Sequence, residues 1–98
     1  MSGAADAAIG TIKRTLAIAN KRGLHARAAA KFVRSAGQFD AAVRVSFKGQ
    51  DVSGLSIMGL MMLAAGIGSD IELTCSGRQA LDAMVALSAL VESKFGEE

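Results

Sequence analysis

The apolar residues of this chain of 98 amino acids switch repeatedly between two spacings, and this switching is the strongest constraint on its fold. Residues 11–19, 42–47 and 70–76 alternate between apolar and polar side chains. Such alternation predicts strands with one buried face. A short further strand is predicted over residues 50–53, because a turn-forming Lys-Gly pair separates it from the preceding strand.

Three other segments show the three-to-four-residue spacing of a helix. The first begins near residue 25, carries apolar side chains on one stripe as far as Ala36, and ends at Gly37. Gly37 stands where the end of a helix favours a left-handed residue. The second helix is short and apolar and covers residues 57–63.

The third predicted helix, residues 78–95, is amphipathic. Its predicted buried stripe consists of Leu81, Met84, Val85, Ser88, Val91 and Phe95, widened by Leu87 and Leu90. The resulting order, β-α-β-β-α-β-α, predicts an α+β open-faced sandwich in which three helices cover one face of a four-stranded antiparallel sheet. Residues 1–10 are Ala/Gly-rich and are expected to form a flexible extension before a single domain of residues 11–98.

Several classes of protein are excluded by composition. Cys75 is the only cysteine, so no disulfide can form within the chain and no Cys–His metal cluster can be completed. We therefore expect a cytoplasmic protein without a metal or other cofactor. Residues 1–10 contain no basic residue and are not expected to be a secretory signal. No apolar stretch approaches the length of about 20 residues that a bilayer requires, so membrane insertion is not expected.

Charge is unevenly distributed although the net charge is only +2. Residues 7–39 contain seven basic side chains and no acid, whereas residues 40–98 contain four basic and eight acidic ones. A basic region of this kind predicts contact with an acidic partner, a phosphate group or both. Nucleic acid is a weaker alternative and is not expected as a partner, because the chain lacks Trp, Tyr and any recognised DNA- or RNA-binding motif.

His25 is the only histidine and lies where the predicted loop becomes the first helix. The amides of a first helical turn lack intrahelical acceptors and attract anions. Their partial positive charge disfavours a cationic ring, which leaves a neutral imidazole able to attack phosphorus. Arg27 follows two residues later, and a guanidinium can hold two phosphate oxygens at once. The alternative interpretation is an ordinary helix cap with a solvated basic face.

Two segments resemble a known family. Residues 23–33, Gly-Leu-His-Ala-Arg-Ala-Ala-Ala-Lys-Phe-Val, resemble the active-site signature of HPr, the histidine phosphocarrier of the bacterial phosphoenolpyruvate-dependent phosphotransferase system. Residues 56–61, Ser-Ile-Met-Gly-Leu-Met, resemble the regulatory serine segment of the same family. The similarity covers residues 11–95, nearly the whole predicted domain, and the element order of the family matches the one predicted above.

The resemblance implies a function. His25 would receive a phosphoryl group on Nδ1 from enzyme I and pass it to an enzyme IIA protein, and Arg27 would steady the group during transfer. Ser56 would be a candidate for an ATP-dependent serine kinase, although a serine before an apolar helix is also an ordinary N-cap. Exposed apolar residues near His25 would dock the partner proteins: Leu24, Ile57, Met58 and Met61. We expect a monomer that carries the group without independent turnover.

Two positions depart from the family pattern. Ala28 stands where the family usually has proline, and Leu55 stands where many relatives have a basic residue. Alanine restores a backbone amide that can donate to a phosphate, so we expect activity to survive. Leu55 weakens the case for kinase recognition of Ser56. A regulatory binding module that acts by contact, without phosphorylation of His25, is the alternative function. A kinase is not indicated, because the chain lacks a phosphate-cradling glycine motif.

Overall fold

The computed structural model describes residues 10–97, which form one antiparallel sheet with three helices. The strands are β1 (Thr11–Ala17), β2 (Ala42–Phe47), β3 (Gln50–Ser53) and β4 (Asp70–Ser76). The helices are α1 (Ala26–Ala36), α2 (Ile57–Met62) and α3 (Ala80–Glu92), followed by a 3₁₀ turn at Lys94–Gly96. The strand order across the sheet is β1-β4-β2-β3, and the predicted fold class is confirmed.

Register explains which side of the sheet is buried. The central strand β4 places Leu73 opposite Val45 of β2 and Ile71 opposite Leu16 of β1. These four side chains are almost fully buried, and they belong to the alternating set that the sequence pattern assigned to the core. Because side chains alternate across a strand, a shift of one residue would expose them all.

Cys75 continues the buried face of β4 and is inaccessible to solvent. Burial raises the pKa of its thiol, which disfavours the reactive thiolate. Cys75 is therefore a core residue, as its position in the alternating pattern predicted.

The face of α3 that packs against the sheet differs from the predicted one. Leu81 and Val85 were expected to be buried but are 64% and 60% exposed. The buried residues of the helix are instead Ala80, Ala83, Met84, Leu87, Ser88 and Val91. Apolar residues occur on both sides of this helix, so the spacing alone leaves its rotation open, and the small side chains of Ala80 and Ala83 allow the closer approach.

The helix ends also differ in detail from the prediction. Gly37 caps α1 with a right-handed backbone, φ −70°, so the predicted left-handed conformation is wrong. The helix predicted over residues 78–95 ends at Glu92, and Phe95 enters the core from the 3₁₀ turn. The predicted N-terminal extension, except for Gly10, lies outside the described residues. Within residues 10–97, no helix has the length and hydropathy needed to cross a membrane.

Candidate functional site

His25 is the N-cap of α1, as predicted, with an extended backbone at φ −75° and ψ 179°. Its carbonyl oxygen accepts the hydrogen bond of the Ala29 amide at 2.9 Å. The amides of the three intervening residues, 26–28, therefore precede the first regular intrahelical bond. The His25 side chain makes no capping hydrogen bond, so the imidazole does not satisfy any amide of the first turn.

The loop before His25 depends on Gly23, which has φ +64°. A Cβ atom at this position would lie 2.4 Å from the carbonyl oxygen of Ala65 and 2.8 Å from the Cα atom of Gly66. The next residue, Leu24, donates its amide to the Ala65 oxygen at 3.0 Å. The loop that carries His25 is therefore packed directly against the backbone of residues 65–66.

Leu24 does not have the exposure that was predicted for a docking residue. Its relative exposure is 5%, and it belongs to the hydrophobic core. The reason is the turn at Gly23, because the hydrogen bond from the Leu24 amide to the Ala65 carbonyl oxygen holds the chain against the core at Leu24. Only after Leu24 does the chain reach the partly exposed position of His25.

The two ring nitrogens of His25 have different surroundings. Nε2 lies 2.5 Å from Oε2 of Glu97, and the two side chains are 17% and 15% exposed. Within residues 10–97, Nδ1 forms no hydrogen bond. One ring nitrogen is thus hydrogen-bonded to the C-terminal segment, while the other has no hydrogen-bond partner among the described residues.

Glu97 is held from a second direction by Asn20. The Asn20 amide nitrogen Nδ2 donates to Oε1 of Glu97 at 3.1 Å and to the carbonyl oxygen of Gly23 at 2.9 Å. The hydrogen bond to His25 lowers the pKa of the Glu97 carboxyl, and Asn20 and the charge of Lys31 act in the same direction against the effect of burial. Glu97 is therefore an ionised carboxylate near neutral pH.

Neither Glu97 nor Asn20 was predicted from the sequence. His25 and Glu97 are 72 residues apart in the chain, and no local pattern relates them. The available signal was Phe95, a large apolar residue two positions before Glu97 that was correctly assigned to the core. A buried Phe95 has to bring the residues after it close to the helices.

Four basic side chains line one cavity together with this carboxylate. A cavity of about 340 Å³ is lined by Lys21, Arg22, Arg27, Lys31, Gly96 and Glu97, and is called the basic cavity below. Arg27 is exposed and, among the described residues, forms no hydrogen bond or ion pair. An unpaired guanidinium one residue inside the helix can turn toward an anion without first breaking another contact.

Ser56 is the N-cap of α2, and its Oγ accepts the amide of Gly59 at 2.9 Å. Helices α1 and α2 pack against each other. The predicted docking residues of α2 are exposed: Ile57 by 40%, Met58 by 67% and Met61 by 37%. Leu55, Met62 and Ile67 are also exposed and were not predicted as part of this surface.

The Ser56→Ala variant is expected to lose about 1 kcal/mol of stability, because the Gly59 amide loses its acceptor. Ser56→Asp is the matched control, since aspartate also caps helices and adds charge at the favourable end of α2. Urea unfolding curves of the three proteins measure the difference. Equal stability of Ser56→Ala and wild type would show that the cap contributes nothing in solution.

Comparison with known proteins relates the whole fold to one family. Residues 12–93 match the family model described as PTS HPr component phosphorylation site. The chain is 50% identical over 86 residues to phosphocarrier protein HPr of Cupriavidus necator, which covers 88% of this chain and 97% of that protein. A crystal structure of HPr from Thermoanaerobacter tengcongensis superposes with a TM-score of 0.85 at 42% identity, covering 89% of this chain and 98% of the other.

A dimeric form of HPr from the same organism matches with a TM-score of 0.71 at 44% identity, covering 82% of this chain and 92% of the other. The monomeric state expected for the present chain thus stays a prediction. The family match, the near-complete coverage and the shared fold agree with the two sequence segments noted above. The chain belongs to the HPr family of phosphocarrier proteins of the phosphotransferase system.

Proposed function

We propose that this protein is a cytoplasmic phosphocarrier in which His25 receives a phosphoryl group on Nδ1 from phosphorylated enzyme I and passes it to a histidine of an enzyme IIA protein. The observation that carries the proposal is the state of the ring: Nε2 is engaged by Glu97, and Nδ1 is without a partner among the described residues. A neutral imidazole nitrogen with a free lone pair is a nucleophile toward phosphorus.

The surroundings of His25 suit a group that arrives with negative charge. The amides of the first turn of α1 and the positive end of the helix attract phosphate oxygens. Arg27 adds a guanidinium that can hold two oxygens and that remains charged at all physiological pH values. Ala28, in place of the usual proline, keeps its amide hydrogen, so the first turn has one more donor than the family pattern provides.

The exposed apolar residues of α2 support docking by both partner proteins. Isolated exposed apolar side chains are common, but a contiguous set on one short helix is typical of an interaction surface. Methionine side chains adapt to differently shaped partners, which suits Met58 and Met61 for contacts with enzyme I and enzyme IIA in turn.

We propose a regulatory role for Ser56 on the same surface. A phosphate on its Oγ would meet the positive end of α2, so the helix need not unfold. It would place negative charge beside Ile57 and Met58, which are exposed and apolar. Desolvating that charge in an apolar contact is unfavourable, so a serine kinase acting here would weaken docking.

The experiment uses the purified chain with phosphoenolpyruvate, magnesium and enzyme I, followed by intact-mass measurement at neutral and at acid pH. We expect a gain of one phosphoryl group that is lost in acid. The group should move to enzyme IIA when enzyme IIA is added. No gain with an enzyme I that phosphorylates another HPr would favour the contact-only binding module instead.

The Arg27→Ala variant is expected to accept the phosphoryl group about a hundredfold more slowly, within the range seen when one preorganised charge-stabilising donor is removed. Rapid-quench measurement of the single-turnover rate checks this value. Arg34→Ala is the matched control, because Arg34 lies in the last turn of the same helix, away from His25. A wild-type rate in Arg27→Ala would show that this guanidinium does not contact the group in transfer.

A further inference from the structure

We propose that Glu97 is a positioning residue for phosphoryl transfer: its carboxylate accepts the Nε2 hydrogen of His25, fixes the tautomer of the ring and so presents the Nδ1 lone pair to phosphorus. This inference rests on the function proposed above, since it concerns how His25 performs that reaction. The inference gives a role to the C-terminal segment that contacts His25. Neither the N-terminus of α1 nor the exposed apolar residues of α2 account for that contact.

The ionised state of Glu97 determines the direction of the hydrogen bond. An ionised carboxylate has acceptor atoms only, so in the contact between Oε2 and Nε2, which are 2.5 Å apart, the ring is the donor. A neutral imidazole carries one hydrogen, and the second nitrogen, Nδ1, must then carry the lone pair. The same logic applies wherever a buried carboxylate orients a reactive histidine.

The carboxylate is itself held in place. Oε1 accepts from Nδ2 of Asn20 at 3.1 Å, and Asn20 is fully buried with its amide also bonded to Gly23. Only one orientation of the Asn20 amide allows both bonds, because both partners are acceptors. Asn20, Glu97 and His25 therefore form a chain of hydrogen bonds that ends on the ring.

The backbone before Glu97 is strained, and the strain lies next to the ring. Lys94, Phe95 and Gly96 all have positive φ, at 60°, 56° and 72°. For the two non-glycine residues this conformation is unfavourable and persists only where other contacts compensate. Two such contacts are present, the complete burial of Phe95 and the 2.7 Å hydrogen bond from Nζ of Lys31 to its carbonyl oxygen.

The transfer step balances with Glu97 in this role. The Nδ1 lone pair forms the new N–P bond, while the P–N bond to the donor histidine of enzyme I breaks and its electron pair returns to that nitrogen. The ring of His25 keeps its Nε2 hydrogen and becomes positively charged. The adjacent carboxylate stabilises this charge, and no proton has to leave His25 during the step.

Glu97 also adds negative charge near an incoming phosphoryl group, which would oppose transfer if it acted alone. The carboxylate contacts Nε2, the ring nitrogen that would not react, and the basic cavity that it lines carries four cationic side chains, those of Lys21, Arg22, Arg27 and Lys31. The short contact to the ring, together with these cations, favours activation over repulsion.

The test compares Glu97→Gln, Glu97→Ala and Glu97→Asp with wild type in the enzyme I reaction. We expect the single-turnover rate to fall about ten- to hundredfold in Glu97→Ala, the range observed when a partner that orients a functional histidine is removed. Glu97→Gln keeps an acceptor oxygen without the charge and should fall between Glu97→Ala and wild type, and Glu97→Asp should restore part of the rate. Glu92→Gln is the control, because Glu92 is an exposed acid whose ion pair with Arg14 is on the surface.

Nitrogen-15 NMR of His25 provides a readout that a merely structural role would not change. Wild type should show the ring protonated at Nε2, and Glu97→Ala should show a mixture of tautomers with an unchanged amide spectrum elsewhere. The carboxyl carbon of Glu97 reports the titration of this side chain, and in wild type the pKa of the carboxyl should lie below its ordinary range. This pKa should move upward in His25→Ala, since the hydrogen bond from His25 is the largest cause of the shift.

The two proposals fail in different ways. Absence of phosphorylation in wild type would remove the phosphocarrier function, while the NMR measurement would still decide whether Glu97 fixes the tautomer. Unchanged tautomers in Glu97→Ala would overturn the positioning role even if transfer proceeds. A tautomer change with an unaltered or faster rate would also overturn it, and a faster rate would identify Glu97 as an inhibitory contact.

Discussion

The His25→Ala variant is expected to gain no acid-labile phosphoryl group under conditions in which the wild-type protein gains one. His25 is the only histidine in the chain, so no second imidazole can accept the group. The loss should be complete rather than partial, because the bond to phosphorus forms on the side chain that is removed. Intact-mass measurement after incubation with phosphoenolpyruvate, magnesium and enzyme I is the direct assay.

The variant is also expected to stay folded. The His25 side chain makes no capping hydrogen bond. Its backbone carbonyl accepts the first intrahelical hydrogen bond, from the Ala29 amide, and alanine retains this carbonyl. His25→Gln is the matched variant, since glutamine preserves a polar side chain that can still contact Glu97. Circular dichroism and urea unfolding of both variants should be close to wild type. An acid-labile gain in either variant would mean that the acceptor lies at another residue.

The Gly23→Ala variant is expected to lose about 2–5 kcal/mol of stability and to transfer phosphoryl groups more slowly. Positive φ costs an L-residue about 1–2 kcal/mol, and forcing extra volume into a packed site costs about 1–3 kcal/mol more. The added Cβ would lie 2.4 Å from the Ala65 oxygen, and that atom belongs to the backbone and cannot rotate away. Relief of the contact requires movement of the loop that carries His25.

Gly49→Ala separates the two contributions. Gly49 also has positive φ, at 82°, but a Cβ there would meet no atom within 4 Å. We expect this control to lose only the conformational part, about 1–2 kcal/mol, and to transfer at the wild-type rate. Urea unfolding and single-turnover rates of both variants check the prediction. Equal stability losses in the two variants would show that the contact between Gly23 and Ala65 is not tight in solution.

The local patterns of the sequence were sufficient for the element order and the fold class. Strand alternation depends on neighbouring residues, so the inward faces of β1, β2 and β4 could be assigned without knowledge of the sheet. The N-caps at His25 and Ser56 were predicted for the same reason, because a cap is defined by the few residues that follow it. The role of His25 was likewise suggested by its immediate neighbours, Leu24 to Arg27.

Features that depend on distant parts of the chain were missed or wrong. The rotation of α3, which leaves Leu81 and Val85 exposed, is decided by close packing on the sheet, whereas the sequence has apolar residues on both sides of the helix. The burial of Leu24 depends on a hydrogen bond to Ala65, 41 positions further along by number. Neither contact has a signature in local periodicity.

The proposed nucleophile was therefore predicted from the sequence, and its environment was decided by the tertiary structure. A single histidine before an alanine-rich helix already identifies an imidazole at a positive helix end. The carboxylate that binds the other ring nitrogen reaches it only because the buried Phe95 returns the C-terminal segment to α1. Contacts between residues so far apart are formed by the packing of the core, and short-range spacing carries no information about which residues the core brings together.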